Sequence, residues 1–372
     1  MTLIKYFIKN SKMLLISLCI IFLSADNLMV NSEGAALFAY MVLVILAFYF
    51  VDFKLPSYIY ICLFLFISVY LIYLILGVGE LVIFLKYSLI LFVILISFAP
   101  QSLLRENTFY LITVPWFTLI AIGCFQAVFM FTNPSFILQY LLGHGRPIGL
   151  SVEPTFYSQQ LLVLWMLYAI LEKNKKSYHW LLEIFTVALI VLCATRTSML
   201  LAIPVIFFRL RQSKGGVVFS IVSLTFLILT FREQLQTIDI SHFTNKLQNL
   251  FNLEGEPRQF AFFGMLEAIK VSPFFGSGFS EEDTQLGIAV GSLYANIFLA
   301  HFYSFGILSV PFIGLLIYRL LLQKHFNNKY LILALLSLSM IMPFLYTPFG
   351  LISWLIVANL SDSRRLVYAS RS

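Results

Sequence analysis

The stretch GHGRPIGLSVEPTFYSQQLLVLWMLYAI, residues 143–170, sets Arg146 and Glu153 seven positions apart and leaves 154–170 without a charged side chain. Glu153-Pro154 reads as a helix start. Proline is tolerated in a first turn, where its missing N–H costs nothing, and a carboxylate near the N-cap is favoured by the helix dipole. A long, largely apolar run follows at once from Pro154.

The rest of the chain extends that pattern. Hydrophobic residues make up 60% of the 372 and charged residues 11%, with a mean hydropathy of +0.93. Soluble domains sit near about 45–50% and 25%. The composition implies an all-α, polytopic membrane protein, a single transmembrane domain over 1–372. At about 20 apolar residues per span, fewer where a helix is buried in protein, the pattern predicts about twelve helices. They fall at 12–24, 35–51, 57–76, 81–98, 108–131, 157–171, 179–194, 197–209, 216–231, 293–318, 329–345 and 349–360. The N-terminal basic head and apolar run lack a small-residue cleavage site, so they read as the first span and not a signal peptide. Cys19, Cys62, Cys124 and Cys193 lie singly in apolar runs, without metal-ligand or disulfide spacing, and read as filler.

Charge orients these spans. With a cytoplasmic N-terminus, the inner loops collect seventeen lysines and arginines, among them Lys173, Lys175, Lys176, Arg209, Arg211 and Arg319. The outer segments keep six: Arg146, Arg196, Arg232, Lys246, Arg258 and Lys270. That asymmetry predicts both termini in the cytoplasm. It also explains the net charge of +7 through loops that meet anionic lipid, so nucleic acid is not implied. Two outer segments exceed ordinary connections: 132–156, which carries the Arg/Glu-Pro motif, and 232–292, between the ninth and tenth helices. In the second, Phe243, Leu247, Leu250 and Phe251 recur at helical spacing, as do Phe260, Phe263, Leu266 and Ile269. These predict amphipathic helices. SPFFGSGF then breaks the pattern at Pro273, Gly276 and Gly278.

Chemistry is sought among the outer charges. Arg196 lies between two short apolar runs, and an arginine near membrane depth usually faces a polar interior site. Arg146, Arg196 and Arg258 on one side suit an anion, because a guanidinium stays charged and grips phosphate oxygens through paired donors. A lipid-linked phosphate fits such a pocket. The competing readings are plainer: Glu153 as a cap alone, Arg146 on lipid headgroups, Arg258 in an exposed pair with Glu254 or Glu256. Phosphate-binding glycine loops, HExxH and Gly-x-Ser-x-Gly are absent from the sequence. The five histidines are dispersed; His301, inside a span, reads as an interior histidine. Neither a metal nor a cofactor is expected.

Four segments between about 143 and 310 carry a family resemblance: GRPIGLSVEPTFYSQQLL, ATRTSMLL, PRQFAFFGMLEAIKVSPFFGSGF and YANIFLAHFYSFGIL. In order and spacing they resemble the bacterial polysaccharide polymerases of the Wzy type and, more distantly, the O-antigen ligases. Those ligases carry a histidine before the asparagine that comes after the large loop. Here Ala295-Asn296 stands in that place, which favours polymerase over ligase.

The resemblance implies glycosyl transfer between two undecaprenyl-diphosphate-linked glycans on the periplasmic face of the inner membrane. The product is O-antigen or capsular polysaccharide, and a chain-length regulator is a possible partner. A hydroxyl of one repeat attacks the anomeric carbon of the chain on the other lipid, and undecaprenyl diphosphate leaves. Arg146, Arg196 and Arg258 stabilise the diphosphate as charge develops, and Glu153 takes the acceptor proton or orients the acceptor. Asn296, Tyr294 and Arg232 are the expected substrate-binding residues. A flippase of lipid-linked sugars is the alternative from another class; it predicts two related halves with broken helices.

Overall fold

Pro154 does begin a helix, and the run it starts is buried without interruption from Phe156 to Ala169. The computed structural model describes residues 15–25, 38–46 except 40, 57–77, 81–98, 104–132, 147–151, 154–171, 177–193, 195–212, 266–278 except 268 and 277, 282–283, 288–289, 297–322, 326–341 and 347–360. The architecture is mostly helical. Residues 15–23, 38–39 and 41–46 are helical, and α1 (Ser57–Ile75), α2 (Leu81–Ile96), α3 (Leu104–Thr132), α4 (Pro154–Leu171), α5 (Ser177–Leu192) and α6 (Arg196–Gln212) come next. Then come α7 (Ile297–Phe305), a 3-10 turn (Gly306–Ser309), α8 (Val310–Leu322), α9 (Phe326–Ile341) and α10 (Pro348–Leu360). The expected ninth span, 216–231, and residues 232–265 lie outside the described residues. A two-residue antiparallel ladder, Glu282–Asp283 against Ile288–Ala289, adds a trace of sheet to the 232–292 segment, for which the sequence predicted amphipathic helices.

Among the described residues, one helical run, His301–Leu321, is long and apolar enough to cross a membrane. Tyr60–Ile75, Ile112–Val128, Leu181–Leu192, Thr197–Ile206 and Pro348–Val357 are apolar but shorter. The chain divides into two compact units. One holds 1–115, 150–152 and 264–372, and the other 116–149 and 153–263; the division at Pro115 falls within α3.

In the first unit α10 packs on α2. Thr347 caps α10 by accepting the Gly350 amide at 3.0 Å. Trp354 donates its indole N–H to the Ser97 hydroxyl at 3.1 Å, while that hydroxyl donates to the Ile94 carbonyl at 2.6 Å. The tenth expected span, 293–318, is not one helix. It breaks at Gly306, which has a φ of 55°, and α8 continues to Leu322. Arg319, expected in an inner loop, therefore lies within α8. It is buried, with its guanidinium 5.3 Å from the Phe98 ring centre, because an aromatic face takes the place of water.

The break is filled by a turn in SPFFGSGF, the segment that was expected to interrupt the helical pattern. Helical residues end at Val271, and Gly276 and Gly278 take φ of 70° and 90°. The Ile307 amide donates to the Pro273 carbonyl at 2.9 Å, and the Gly278 amide to the Ser304 carbonyl at 3.0 Å. The Tyr73 hydroxyl donates to the Phe275 carbonyl. A Cβ on Gly276 would lie 2.5 Å from the Ser304 backbone carbon, and one on Gly306 2.5 Å from the Pro273 oxygen, so only glycines permit this approach. Beneath the turn, Phe305 packs with Tyr70 and Tyr73. His301 is buried as an interior residue, its ring stacked 3.9 Å from that of Phe312.

Candidate functional site

The second unit unites two of the motif segments read from the sequence. Thr195 and Ser198 flank Arg196 in ATRTSMLL, and both reach Ser158 of the EPTFYSQQ segment. The Ser158 hydroxyl stands 2.6 Å from that of Thr195 and 2.8 Å from that of Ser198, and donates to the Thr155 carbonyl at 2.8 Å. All three side chains are buried. Arg196 is the first residue of α6, so the hydroxyl cluster ties the first turn of α6 to the first turn of α4. The three helices α4, α5 and α6 alternate in direction, and the N-terminal ends of α4 and α6 share one end of the set.

The loop before α4 is pinned to that end. Gln126 of α3 accepts from the amides of Ile148 at 3.1 Å and Gly149 at 2.8 Å, and donates to the Gly149 carbonyl at 2.8 Å. Tyr157 passes where two glycines make room. Added Cβ atoms on Gly123 and Gly149 would lie 1.8 and 2.2 Å from its atoms, and its hydroxyl donates to the Leu119 carbonyl at 2.7 Å. The Cys193 thiol donates to the Pro147 carbonyl at 3.4 Å, so this cysteine fastens the loop to the turn before α6 and is more than filler. Pro147 is thereby held beside that turn.

At the other end of the three helices lies a buried ion pair. Arg209, expected in a cytoplasmic loop, is instead inside α6 and fully buried, paired with Glu183 of α5. Its Nε donates to Glu183 Oε2 at 3.0 Å, and its Nη2 donates to Oε1. The Trp165 indole adds a donor to Oε2 at 3.2 Å, and the guanidinium lies 5.5 Å from the Tyr168 ring centre. The expectation failed because it gave Arg209 water as its only refuge, whereas α6 runs to Gln212 and Glu183 supplies the counter-charge. One signal was present in the sequence. Glu183 interrupts HWLLEIFTVALIVL, and a carboxylate among apolar residues demands a partner. Nearby, Trp116 donates to the Thr186 hydroxyl at 3.0 Å and its ring lies 4.6 Å from that of Tyr168.

Of the residues predicted for the site, Arg196 is described as the start of α6. Arg146, Glu153, Arg232, Arg258, Tyr294 and Asn296 lie outside the described residues. Sequence reasoning missed the residues that hold this unit together: Gln126, Ser158, Thr195 and Ser198 at one end and the Glu183–Arg209 pair at the other. Short hydroxyl and amide side chains in apolar runs carry no periodicity, and only their spatial convergence marks them. Comparison with known proteins adds no relative from which a role could be carried over, for no protein-family model, curated protein or solved structure matches this chain.

Proposed function

We propose that the chain is an integral protein of the bacterial inner membrane, with about twelve spans and both termini cytoplasmic. In this reading it polymerises undecaprenyl-diphosphate-linked repeat units on the periplasmic face. Support for the membrane comes from composition and from helix faces that expose large apolar side chains. On α1, Phe64 is 71% and Ile75 76% exposed, alongside Ile61, Leu65 and Ile72. Such faces suit lipid.

The observation that carries the reading is the pinned convergence of the first turns of α4 and α6. Glu153 is the residue before α4, Arg196 opens α6, and Arg146 precedes the anchored Pro147. In this reading the three residues act together at that end of the helices. Two helix N-termini and two arginines favour an anion, and a diphosphate leaving group is the anion that this reaction releases. Glu153 serves the acceptor hydroxyl.

The test uses purified protein given undecaprenyl-diphosphate-linked repeats. Wild type should extend them, and Arg146→Lys, Arg196→Lys and Arg258→Lys should each shorten the product at unchanged protein abundance, because a point charge does not reproduce bidentate geometry. Full extension by all three variants would leave the diphosphate site without support.

A further inference from the structure

We infer that Gln159 reads the sugar of the lipid-linked substrate, its side-chain amide taking a hydroxyl of the glycan. This rests on the polymerase reading and deepens it, since it assigns a residue to the glycan rather than to the diphosphate.

Gln159 is fully buried, and among the described residues neither its Oε1 nor its Nε2 has a hydrogen-bond partner. Its neighbour Ser158 is engaged with Thr195 and Ser198, so the two adjacent polar residues differ in kind. One holds the helices together, and the other holds nothing among the described residues. A buried amide left unsatisfied is costly, whereas an apolar side chain of the same volume is not. Among the described residues nothing partners the amide, which leaves it for a molecule that enters.

The chemistry of the amide limits what that molecule is. Glutamine presents two donors on nitrogen and an acceptor on oxygen in one plane. A phosphate oxygen would satisfy the nitrogen and leave Oε1 orphaned. A sugar hydroxyl both donates and accepts, and two neighbouring hydroxyls can engage both ends of the amide. Gln159 directly follows Ser158 of the hydroxyl cluster, one helix step of about 1.5 Å further from Pro154, next to the end where the diphosphate is proposed to sit.

The experiment compares two probes on the purified full-length protein: undecaprenyl diphosphate alone, and the same lipid bearing the repeat unit extracted from the cells that make the protein. Thermal unfolding is recorded in parallel. Wild type should bind the glycosylated lipid more tightly than the bare one. Gln159→Leu should lose roughly tenfold of that preference, the worth of two neutral hydrogen bonds. It should bind bare lipid as wild type does and unfold at the same or a higher temperature. Gln159→Met, which keeps the chain length, guards against a misfit of the branched side chain and should behave alike. Unchanged preference in both variants would overturn this inference and leave the polymerase reading standing. Lower unfolding temperatures in both would also overturn it, by making the amide a structural group. Wild type that binds neither lipid would remove the polymerase reading and this inference with it.

Discussion

Cutting one side of the Glu183–Arg209 pair tests the packing of α4, α5 and α6 most directly. Arg209→Met keeps the length and apolar stem of the side chain but leaves Glu183, which has no exposure, with the Trp165 indole at 3.2 Å as its remaining donor among the described residues. An uncompensated buried charge of this kind costs about 3–5 kcal/mol. The reverse cut, Glu183→Leu, strands the guanidinium and should cost a similar amount. Combining the two replaces the charges with apolar groups that fill much of the same space, and such replacements are often neutral or stabilising. The double variant should therefore unfold at a higher temperature than either single one. Thermal unfolding of purified protein in one detergent, with membrane abundance as a second measure, gives the full cycle. Two single variants within about 1 kcal/mol of wild type would refute the burial of this pair.

Other perturbations probe the same geometry. Gly306→Ala forces a side chain into a left-handed conformation, at about 1–2 kcal/mol, and drives its Cβ to 2.5 Å from the Pro273 oxygen; protease sensitivity of residues 266–278 should rise, and unchanged cleavage would contradict the docked turn. Gln126→Leu strips the Ile148 and Gly149 amides of their acceptor, at about 1–3 kcal/mol for each buried group, so hydrogen exchange at both should accelerate and product length should fall. A reporter fused after Asn252 should be active only outside the cytoplasm, as the lysine and arginine asymmetry requires; cytoplasmic activity would reverse the assignment of every outer residue.

Helices were legible wherever apolar runs had clear ends. Pro154 and the Pro273–Gly278 breaker mark boundaries that local chemistry dictates, and the structure has boundaries there. Charges inside helices were not legible, because a positional rule sends each arginine to the nearest loop. Arg209 and Arg319 escape that rule through partners far away in sequence, Glu183 and Phe98. The Arg196 turn was readable as a special place, but the serine and threonine that fix it were not. Hydroxyls stand out only when a second segment folds back upon them.

The turn seated in the helix break has a consequence for the order in which the chain assembles. An unbroken helix would satisfy the Ser304 carbonyl and the Ile307 amide from within; here both depend on Gly278 and Pro273, which are supplied by the returning end of the large loop. In an apolar surround each unmet backbone group is costly, so the run from His301 to Leu321 cannot reach its final form by itself. It must wait for the preceding loop to come back to it. Completion of this helix thus reports arrival of the loop, and a chain halted before docking would carry a recognisable defect at one place, the backbone around Gly306.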